Sequence, residues 1–322
     1  QTATEADGRL EREERFSEAL SGLEEQLADL PSFTEVDRYL LSNNDIPAEA
    51  LAKLDTGKAP RSSYLSSDAS KIQVFVLFGL DGVDSSDSVM LVALDRVHQK
   101  IKLISLARDS YVFIPEFASF SKLAYSYTWG GAAMAVKNLN YNYYLNVSDY
   151  IAVDFDQLAQ IIDRIGGVTV NIDEDEARYL SNYPNVHVGD CLLDGETAVS
   201  YARIRKSSAT DSDRKRTGRQ REVILSILNT LQTMPLSQYP GFVRDCLGMC
   251  ATSFEAETLL TMAAETLGQN YTVEQYFFPE GQVDWWAGHI KEYFYYVYDL
   301  RRASDRIYRI IYEELYISGY DD

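Results

Sequence analysis

Arginine is concentrated in one short stretch of a chain that is otherwise acidic. The 322 residues carry a net charge of −19, yet residues 203–221 contain eight basic and only two acidic side chains. The basic ones are Arg203, Arg205, Lys206, Arg214, Lys215, Arg216, Arg219 and Arg221. A basic run is usually a solvated surface, but the planar fork of arginine suits bidentate phosphate binding. We therefore favour a phosphate-binding groove over a plain surface patch.

The pattern around these arginines indicates how they are presented. Residues 201–205 alternate in polarity, which predicts a strand entering a loop and puts Arg203 and Arg205 on the same side. Residues 219–231 have apolar side chains at helical spacing and predict an amphipathic helix.

Acidic residues follow or precede the buried strands that the sequence predicts. Asp81 comes after an apolar run, Asp87 precedes the next, and Arg108 and Asp109 follow the third. Loops at strand ends carry the sites of open α/β sheets. Two carboxylates converging there could hold Mg²⁺ together with phosphate oxygens. The alternative is structural, with Asp81 in a turn and Asp87 capping a strand.

The remaining chain alternates strands and helices. Apolar runs at residues 72–78, 89–94, 101–106, 150–155 and 168–172 predict strands, the second and third forming a hairpin. Residues 157–165 predict a helix that ends at Gly166. These elements favour an α/β sandwich with helices covering a mixed sheet. The aromatic run 293–298 is followed by tyrosines at four-residue steps up to residue 316, which we interpret as half-buried helix faces, with a carbohydrate or wall-polymer surface as the alternative.

The N-terminal seventy residues are different in character. An apolar stripe from Phe16 to Leu30 predicts an amphipathic helix, which either packs on the main domain or forms a stalk after a lost membrane anchor. Residues 43–71 are polar and rich in turn formers, which indicates a linker. We divide the chain into an extension at 1–70 and a main domain at 71–322. Because the chain starts at Gln1, we expect that an upstream signal or anchor was removed.

Composition excludes several classes of protein. The acidic balance argues against nucleic-acid binding. The three histidines and three cysteines have no zinc spacing, and the Walker, Gly-x-Gly-x-x-Gly and Gly-x-Ser-x-Gly motifs are missing from the sequence.

Several sequence blocks, in order, resemble the LytR-CpsA-Psr family over roughly residues 72–231. The most specific are Asp194-Gly-Glu-Thr-Ala-Val-Ser-Tyr-Ala-Arg-Ile-Arg-Lys206 and Arg216-Thr-Gly-Arg-Gln-Arg-Glu-Val223. The others begin at Phe75, Ser86, Ile101, Lys122 and the Gly-Gly pair after Ile165. Members of that family are extracytoplasmic, membrane-anchored bacterial enzymes. They transfer a glycopolymer, such as teichoic acid or capsule, from a polyprenyl-pyrophosphate carrier to peptidoglycan.

The resemblance implies a fold and a set of site residues. The implied fold is a three-layer α/β/α sandwich with a mixed central sheet and an apolar tunnel for the lipid. We expect residues 132–139, 150–155 and 158–165 to line this tunnel. Asp81 and Asp87 resemble the carboxylates that bind Mg²⁺ or Mn²⁺, and together with Arg108 and Asp109 they form the implied catalytic group. The implied substrate-binding residues are Lys122, Arg203, Arg205, Asp213, Arg216, Arg219 and Gln220.

The implied chemistry is phosphoryl transfer, which depends mainly on positioning and charge neutralisation. A sugar hydroxyl of peptidoglycan would attack phosphorus, with Asp81, Asp87 or Asp109 as the base. One departure from the family pattern is Ser85, where an arginine is usual. Two alternatives follow: a non-catalytic protein that binds lipid-linked glycan or cell wall, and a polyprenyl-pyrophosphate pyrophosphatase.

Overall fold

A computed structural model describes residues 36–54, 63–82, 86–205, 209–267, 271–281 and 283–320. The predicted N-terminal helix, Ser85 and Lys206 lie outside these residues. The strands are β1 (Tyr64–Leu65), β2 (Ile72–Leu80), β3 (Ser86–Asp95), β4 (Lys100–Leu106), β5 (Tyr111–Ile114), β6 (Ser119–Lys122), β7 (Tyr150–Asp154), β8 (Val168–Ile172), β9 (Gly189–Leu193), β10 (Ala251–Thr252), β11 (Thr272–Phe278), β12 (Trp285–Ile290), β13 (Tyr293–Tyr298) and β14 (Tyr316–Ile317).

The helices connect and cover these strands. They are α1 (Ala48–Leu54), α2 (Leu123–Tyr143), α3 (Phe155–Arg164), α4 (Glu174–Tyr179), α5 (Gly195–Ala202), α6 (Ala209–Thr233), α7 (Tyr239–Leu247), α8 (Ala256–Leu267) and α9 (Leu300–Tyr312). Helix α2 is broken at Gly130 and Gly131, and Gly131 has a φ of 61° and a ψ of −159°, a conformation open only to glycine.

A six-stranded mixed sheet forms the centre, in the order β10-β7-β2-β3-β4-β11. Strands β2, β3 and β4 are antiparallel neighbours, whereas β7 runs parallel to β2 and β11 runs parallel to β4. The predicted hairpin is therefore confirmed as β3 and β4. The long apolar runs in these strands follow from burial of the sheet on both faces.

Alternate residues of β2 divide the core between the two faces of the sheet. Val76 and Phe78 pack with α2 and α9 on one face. Phe75 packs on the other face, where α6 and α8 contribute their apolar sides. The predicted three-layer α/β/α sandwich with a mixed sheet is confirmed.

Residues 36–54 correct the linker interpretation. Val36 and Leu40 are buried in the main core, and Ile46 and Ala50 share a second core with strand β13. Backbone hydrogen bonds between Leu41 and Phe120 join this segment to β6. The described part of the predicted extension therefore packs tightly against the domain, because its scattered apolar residues find partners distant in sequence.

The aromatic segment 293–298 was also assigned to the wrong element. It forms β13, paired antiparallel with β12, while the tyrosines at 308 and 312 do lie on a helix, α9. Aromatic residues have high strand propensity, so this unbroken run of them forms a strand rather than a helix.

Helices α3 and α5 approach closely at Gly195, and this contact positions the arginines that follow α5. A Cβ atom at Gly195 would overlap the carbonyl oxygen of Ala159, whereas one at Gly241 of α7 would meet open space. We expect Gly195→Ala to lower the free energy of unfolding by about 1–3 kcal/mol through overpacking. Urea unfolding with Gly241→Ala as the control tests this. Equal stability of the two variants would contradict the close approach.

Candidate active site

Strand ends at one edge of the sheet bring the predicted acidic and basic residues together. In the register of β2 and β3, Gly79 pairs with Ser88 and Leu80 pairs with Ser86, so Asp87 is the extra residue of a β-bulge. A bulge redirects the side chain of the strand that carries it. The buried Asp87 therefore meets Arg108, which lies just after the end of the neighbouring strand β4.

Three guanidinium groups converge on Asp87. Its Oδ1 atom contacts Nη1 of Arg108, Nη2 of Arg205 at 3.4 Å and Nη1 of Arg216 at 3.5 Å. Arg216 also donates from Nη2 to the backbone oxygen of Asp87 at 3.2 Å. One carboxylate thus holds three of the predicted phosphate-binding arginines in a single cluster, which we call the arginine cluster.

Helix α6 places Asp213, Arg216 and Gln220 on one face through steps of three and four residues. Arg216 is buried, with 1% of its surface exposed, and pairs with Asp213. Within the described residues, Asp213 Oδ2, Arg216 Nε and Gln220 Oε1 are buried without a hydrogen-bond partner. Such atoms are rare in proteins and are costly unless a ligand or water satisfies them.

The charges in the arginine cluster are incompletely balanced. Burial lowers the pKa of Arg108, and the neighbouring Arg216 and Arg205 lower it further. The pKa of Arg205 is lowered by burial and then by Arg216, with a smaller contribution from Arg203. An anion bound here would relieve both the lost solvation and the mutual repulsion.

Asp109 and Lys122 form an ion pair beside the arginine cluster. Lys122 Nζ lies 2.6 Å from Asp109 Oδ1 and 5.7 Å and 5.5 Å from the ring centres of Tyr293 and Tyr295. Burial raises the pKa of Tyr125 to about 12, and the nearby Tyr293 and Asp109 contribute to this. These tyrosines were missed by the sequence interpretation, although strand propensity and alternation in 293–298 could have indicated them.

Arg203 lies at the rim of the site. The predicted strand at 201–205 is wrong, because α5 extends through Ala202 and Arg203 forms its C-terminal cap. The Asp194 side chain accepts from the Thr197 amide at 2.9 Å, a helix start that the sequence contained. Arg203 is exposed, with its guanidinium 4.6 Å above the ring of Phe155.

Arg219 is separate from the arginine cluster. Its Nε donates to Glu176 Oε1 at 2.6 Å and its Nη1 to the backbone oxygen of Ile204 at 3.2 Å. Both Arg219 and Glu176 are buried. These contacts correct its assignment as a phosphate ligand: Arg219 anchors α6 to α4 and to the loop that carries Arg205.

Asp81 follows the last residue of β2 and is partly exposed, at the same sheet edge as Asp87. The three guanidinium contacts of the Asp87 carboxylate involve Oδ1. The carboxylates of Asp87 and Asp81 are of the chemical type that could hold a hard divalent cation together with phosphate oxygens.

The apolar lining differs from the prediction. Residues 132–139 of α2 pack in the main core, whereas Ile162 of α3 belongs to another core with β8 and β9. These two helices therefore do not share one wall. On the opposite sheet face, the paired residues Leu77 and Ile151 are only half-buried although their strands are central.

Half-buried Ile224 and Leu228 of α6 pack against the same cluster as Leu77 and Ile151. Central strand residues under a helix are normally fully buried. The apolar side chains that retain accessible surface thus lie between the sheet and α6, the helix that carries Arg216.

The sequence profile of the LytR_cpsA_psr family matches residues 44–308, and the chain belongs to this family. A relative is the polyisoprenyl-teichoic acid–peptidoglycan teichoic acid transferase TagU of Oceanobacillus iheyensis. It is 29% identical over 225 residues, which are 66% of this chain and 68% of TagU. The regulatory protein MsrR of Staphylococcus aureus is 30% identical over 184 residues, and the chain spans only 54% of its length.

Solved structures share the fold. TagT of B. subtilis superimposes with a TM-score of 0.62 at 19% identity, over 80% of this chain and 99% of TagT. A structure of TagT bound to LIIa-WTA gives a TM-score of 0.61 at 20% identity, over 82% of this chain and 97% of that one. Among the described residues, no helix is long and apolar enough to cross a bilayer.

Asp213 provides a test of the site's energetics. Burial raises its pKa although Arg216 opposes the shift, so this carboxyl group binds a proton more tightly in the folded state than in the unfolded state. Its favourable contribution to stability is complete below the unfolded pKa of about 3.9 and is lost as the pH rises through the folded pKa. We expect Asp213→Asn to unfold at a higher urea concentration than the parent at neutral pH, with the difference closing in acid.

Urea unfolding at several pH values checks this, with the exposed Asp190→Asn as the control. Lower stability of Asp213→Asn at neutral pH would show that the ion pair with Arg216 outweighs the cost of burial.

Proposed function

We propose that this protein transfers a glycopolymer from a polyprenyl-pyrophosphate carrier to peptidoglycan by Mg²⁺-assisted phosphoryl transfer. The observation that carries the proposal is the arginine cluster with its unpartnered buried Arg216 Nε. A pyrophosphate group supplies the negative oxygens that these guanidinium groups require. The name of the relative TagU describes the same type of transfer.

The arginine cluster would bind and orient the pyrophosphate. Arg216 is fixed by Asp213 and by the Asp87 backbone, so little side-chain freedom is lost on binding. Arg205 has 57% of its side chain exposed and is free to turn towards an incoming oxygen. Positive charge held in place before the reaction stabilises the charge that develops on the leaving pyrophosphate.

The lipid tail would lie between the sheet and α6. Leu77, Ile151, Ile224 and Leu228 offer accessible apolar surface there. Since α6 also carries Arg216, one helix would contact the head group and the tail together.

Asp109 is the base that the geometry favours. The Asp87 Oδ1 atom is occupied by three guanidinium groups, whereas Asp109 Oδ1 lies 2.6 Å from Lys122 Nζ and, more distantly, 3.9 Å from Arg108 Nε. Lys122 would orient Asp109 towards the hydroxyl group of an acceptor sugar, so that the Asp109 carboxylate can take up the hydroxyl proton.

Asp81 and Asp87 would hold Mg²⁺ or Mn²⁺. When bound, the ion neutralises negative charge on phosphate oxygens. We place the activity outside the cytoplasm, at a membrane that holds the lipid carrier, as the nature of the substrates requires.

The first test is lipid binding. Arg205→Ala removes one charge-assisted contact and should weaken binding of a polyprenyl pyrophosphate by about 1.5–3 kcal/mol. Because more than half of the Arg205 side chain is exposed and Asp87 keeps Arg108 and Arg216 as partners, we expect little change in thermal stability. Calorimetric titration measures the binding and a thermal melt measures the stability, with Arg178→Ala, another exposed arginine paired with a carboxylate, as the control. Equal binding by the two variants would contradict the arginine cluster as the phosphate site.

The second test concerns the metal and the type of reaction. Asp81→Asn should raise the Mg²⁺ concentration needed for half-maximal transfer of labelled glycan to peptidoglycan, whereas the exposed Asp156→Asn should not. Phosphate release without glycan transfer would instead identify a pyrophosphatase, and lipid binding that is indifferent to chelation, with neither reaction, would identify a binding protein.

A further inference from the structure

Strand β13 contacts both members of the Asp109–Lys122 ion pair. One edge of β13 pairs with β12, and from the other edge the Tyr296 amide donates to the backbone oxygen of Asp109 at 2.9 Å. The side chains of Tyr293 and Tyr295 are two residues apart and therefore lie on one face of the strand. Both rings lie near Lys122. A single strand thus holds the backbone that carries Asp109 and the side chain that pairs with it.

The ammonium group of Lys122 is almost removed from water. Only 10% of the side chain is exposed, and within the described part of the chain its one hydrogen bond goes to Asp109 Oδ1 at 2.6 Å. An ammonium group has three N–H donors, and a buried charge with unsatisfied donors is costly. The ring centres of Tyr293 and Tyr295 lie at 5.7 Å and 5.5 Å, within the roughly 6 Å of a cation–π contact. The two rings supply the negative charge density that water supplies to an exposed lysine.

The rings are themselves held in place by neighbouring aromatic residues. Tyr295 is fully buried and meets the ring of Tyr111 edge-on, with ring centres 6.0 Å apart. Tyr111 of β5 is the register partner of Lys122 in β6. The half-buried Tyr293 has its ring centre 5.7 Å from that of Tyr39. Movement of either ring away from the ammonium group would therefore disrupt its own packing.

Asp109 has a competing partner in the arginine cluster. Its Oδ1 atom lies 2.6 Å from Lys122 Nζ and 3.9 Å from Arg108 Nε. The guanidinium groups of Arg205 and Arg216 add positive charge behind Arg108. Without a fixed ammonium group, this charge would draw the Asp109 carboxylate towards the phosphate-binding side of the site. The position of Lys122 therefore decides which way the carboxylate faces.

We propose that Tyr293 and Tyr295 are positioning residues for the transfer reaction. Their rings hold the Lys122 ammonium group, and Lys122 keeps Asp109 apart from the arginine cluster and directed to the acceptor hydroxyl group. The inference rests on the proposed function, since it needs Asp109 as the base. It deepens that function by assigning the orientation of the base to two aromatic rings.

Steady-state transfer of labelled glycan to peptidoglycan fragments, measured on the whole chain, separates this role from contact with a ligand. Tyr293→Leu keeps apolar volume but removes the ring face. It should lower kcat about fivefold, the scale of one partly buried cation–π contact, and leave the KM values for donor and acceptor unchanged. Tyr293→Phe keeps a ring face and should restore most of the lost kcat. Tyr64→Leu, at a tyrosine of β1 that is 61% exposed, is the control.

A second measurement follows Lys122 without reference to activity. In the NMR spectrum of protein with isotope-labelled lysine, the ring currents should shift the ε protons of Lys122 upfield. We expect this shift in the parent and in Tyr293→Phe, and a smaller shift in Tyr293→Leu. Loss of the signal in Lys122→Gln identifies it.

A fall in kcat that Tyr293→Phe restores, together with the smaller Lys122 shift in Tyr293→Leu, would support the positioning role. An unchanged kcat in Tyr293→Leu would overturn it. A rise in the KM for the acceptor in place of the fall in kcat would also overturn it, because Tyr293 would then be a ligand contact. Failure of the proposed function is a different result: the parent would bind polyprenyl pyrophosphate without transferring glycan, and the positioning role would be rejected with it.

Discussion

The contact of one buried carboxylate, Asp87, with three guanidinium groups is the interaction on which the site depends. Like charges this close repel one another, and burial removes the water that would screen them. Removing one partner of a buried ion pair typically costs about 3–5 kcal/mol, so Asp87 holds Arg108, Arg205 and Arg216 where a more highly charged anion can use them. The β-bulge at Asp87 makes this contact geometrically available.

Contacts elsewhere in the fold also keep the guanidinium groups of the arginine cluster in position. Arg219 pairs with the buried Glu176 of α4 and donates to the Ile204 backbone oxygen in the loop after α5, and these contacts fix the positions of Arg216 and Arg205. The same helix leaves Leu77 and Ile151 of the central strands partly uncovered. A helix that packed fully would gain roughly 25 cal/mol per Å² of apolar surface, so the incomplete packing is a cost that a bound lipid would offset.

Much of the fold was predictable because apolar runs and helix starts are local signals. The strands β2, β3 and β4 and the placement of Asp87 beside Arg108 follow from strand order and end position. The predictions that were wrong or missing concern residues whose contacts are distant in sequence. Arg216 and Arg219 are only three residues apart on α6, and the contacts of Arg219 with Glu176 and with the Ile204 backbone oxygen separate it from the arginine cluster. Tyr39 and Tyr293 are about 250 residues apart in the chain, and their contact is visible only in the folded protein.

A crystal structure with geranylgeranyl pyrophosphate tests the central claim most directly. We predict pyrophosphate oxygens within hydrogen-bond distance of Arg108, Arg205 and Arg216, including the unpartnered Arg216 Nε, and a lipid tail beside Leu77, Ile151 and α6. A pyrophosphate bound elsewhere, with the three guanidinium groups still closed on Asp87, would contradict the assignment.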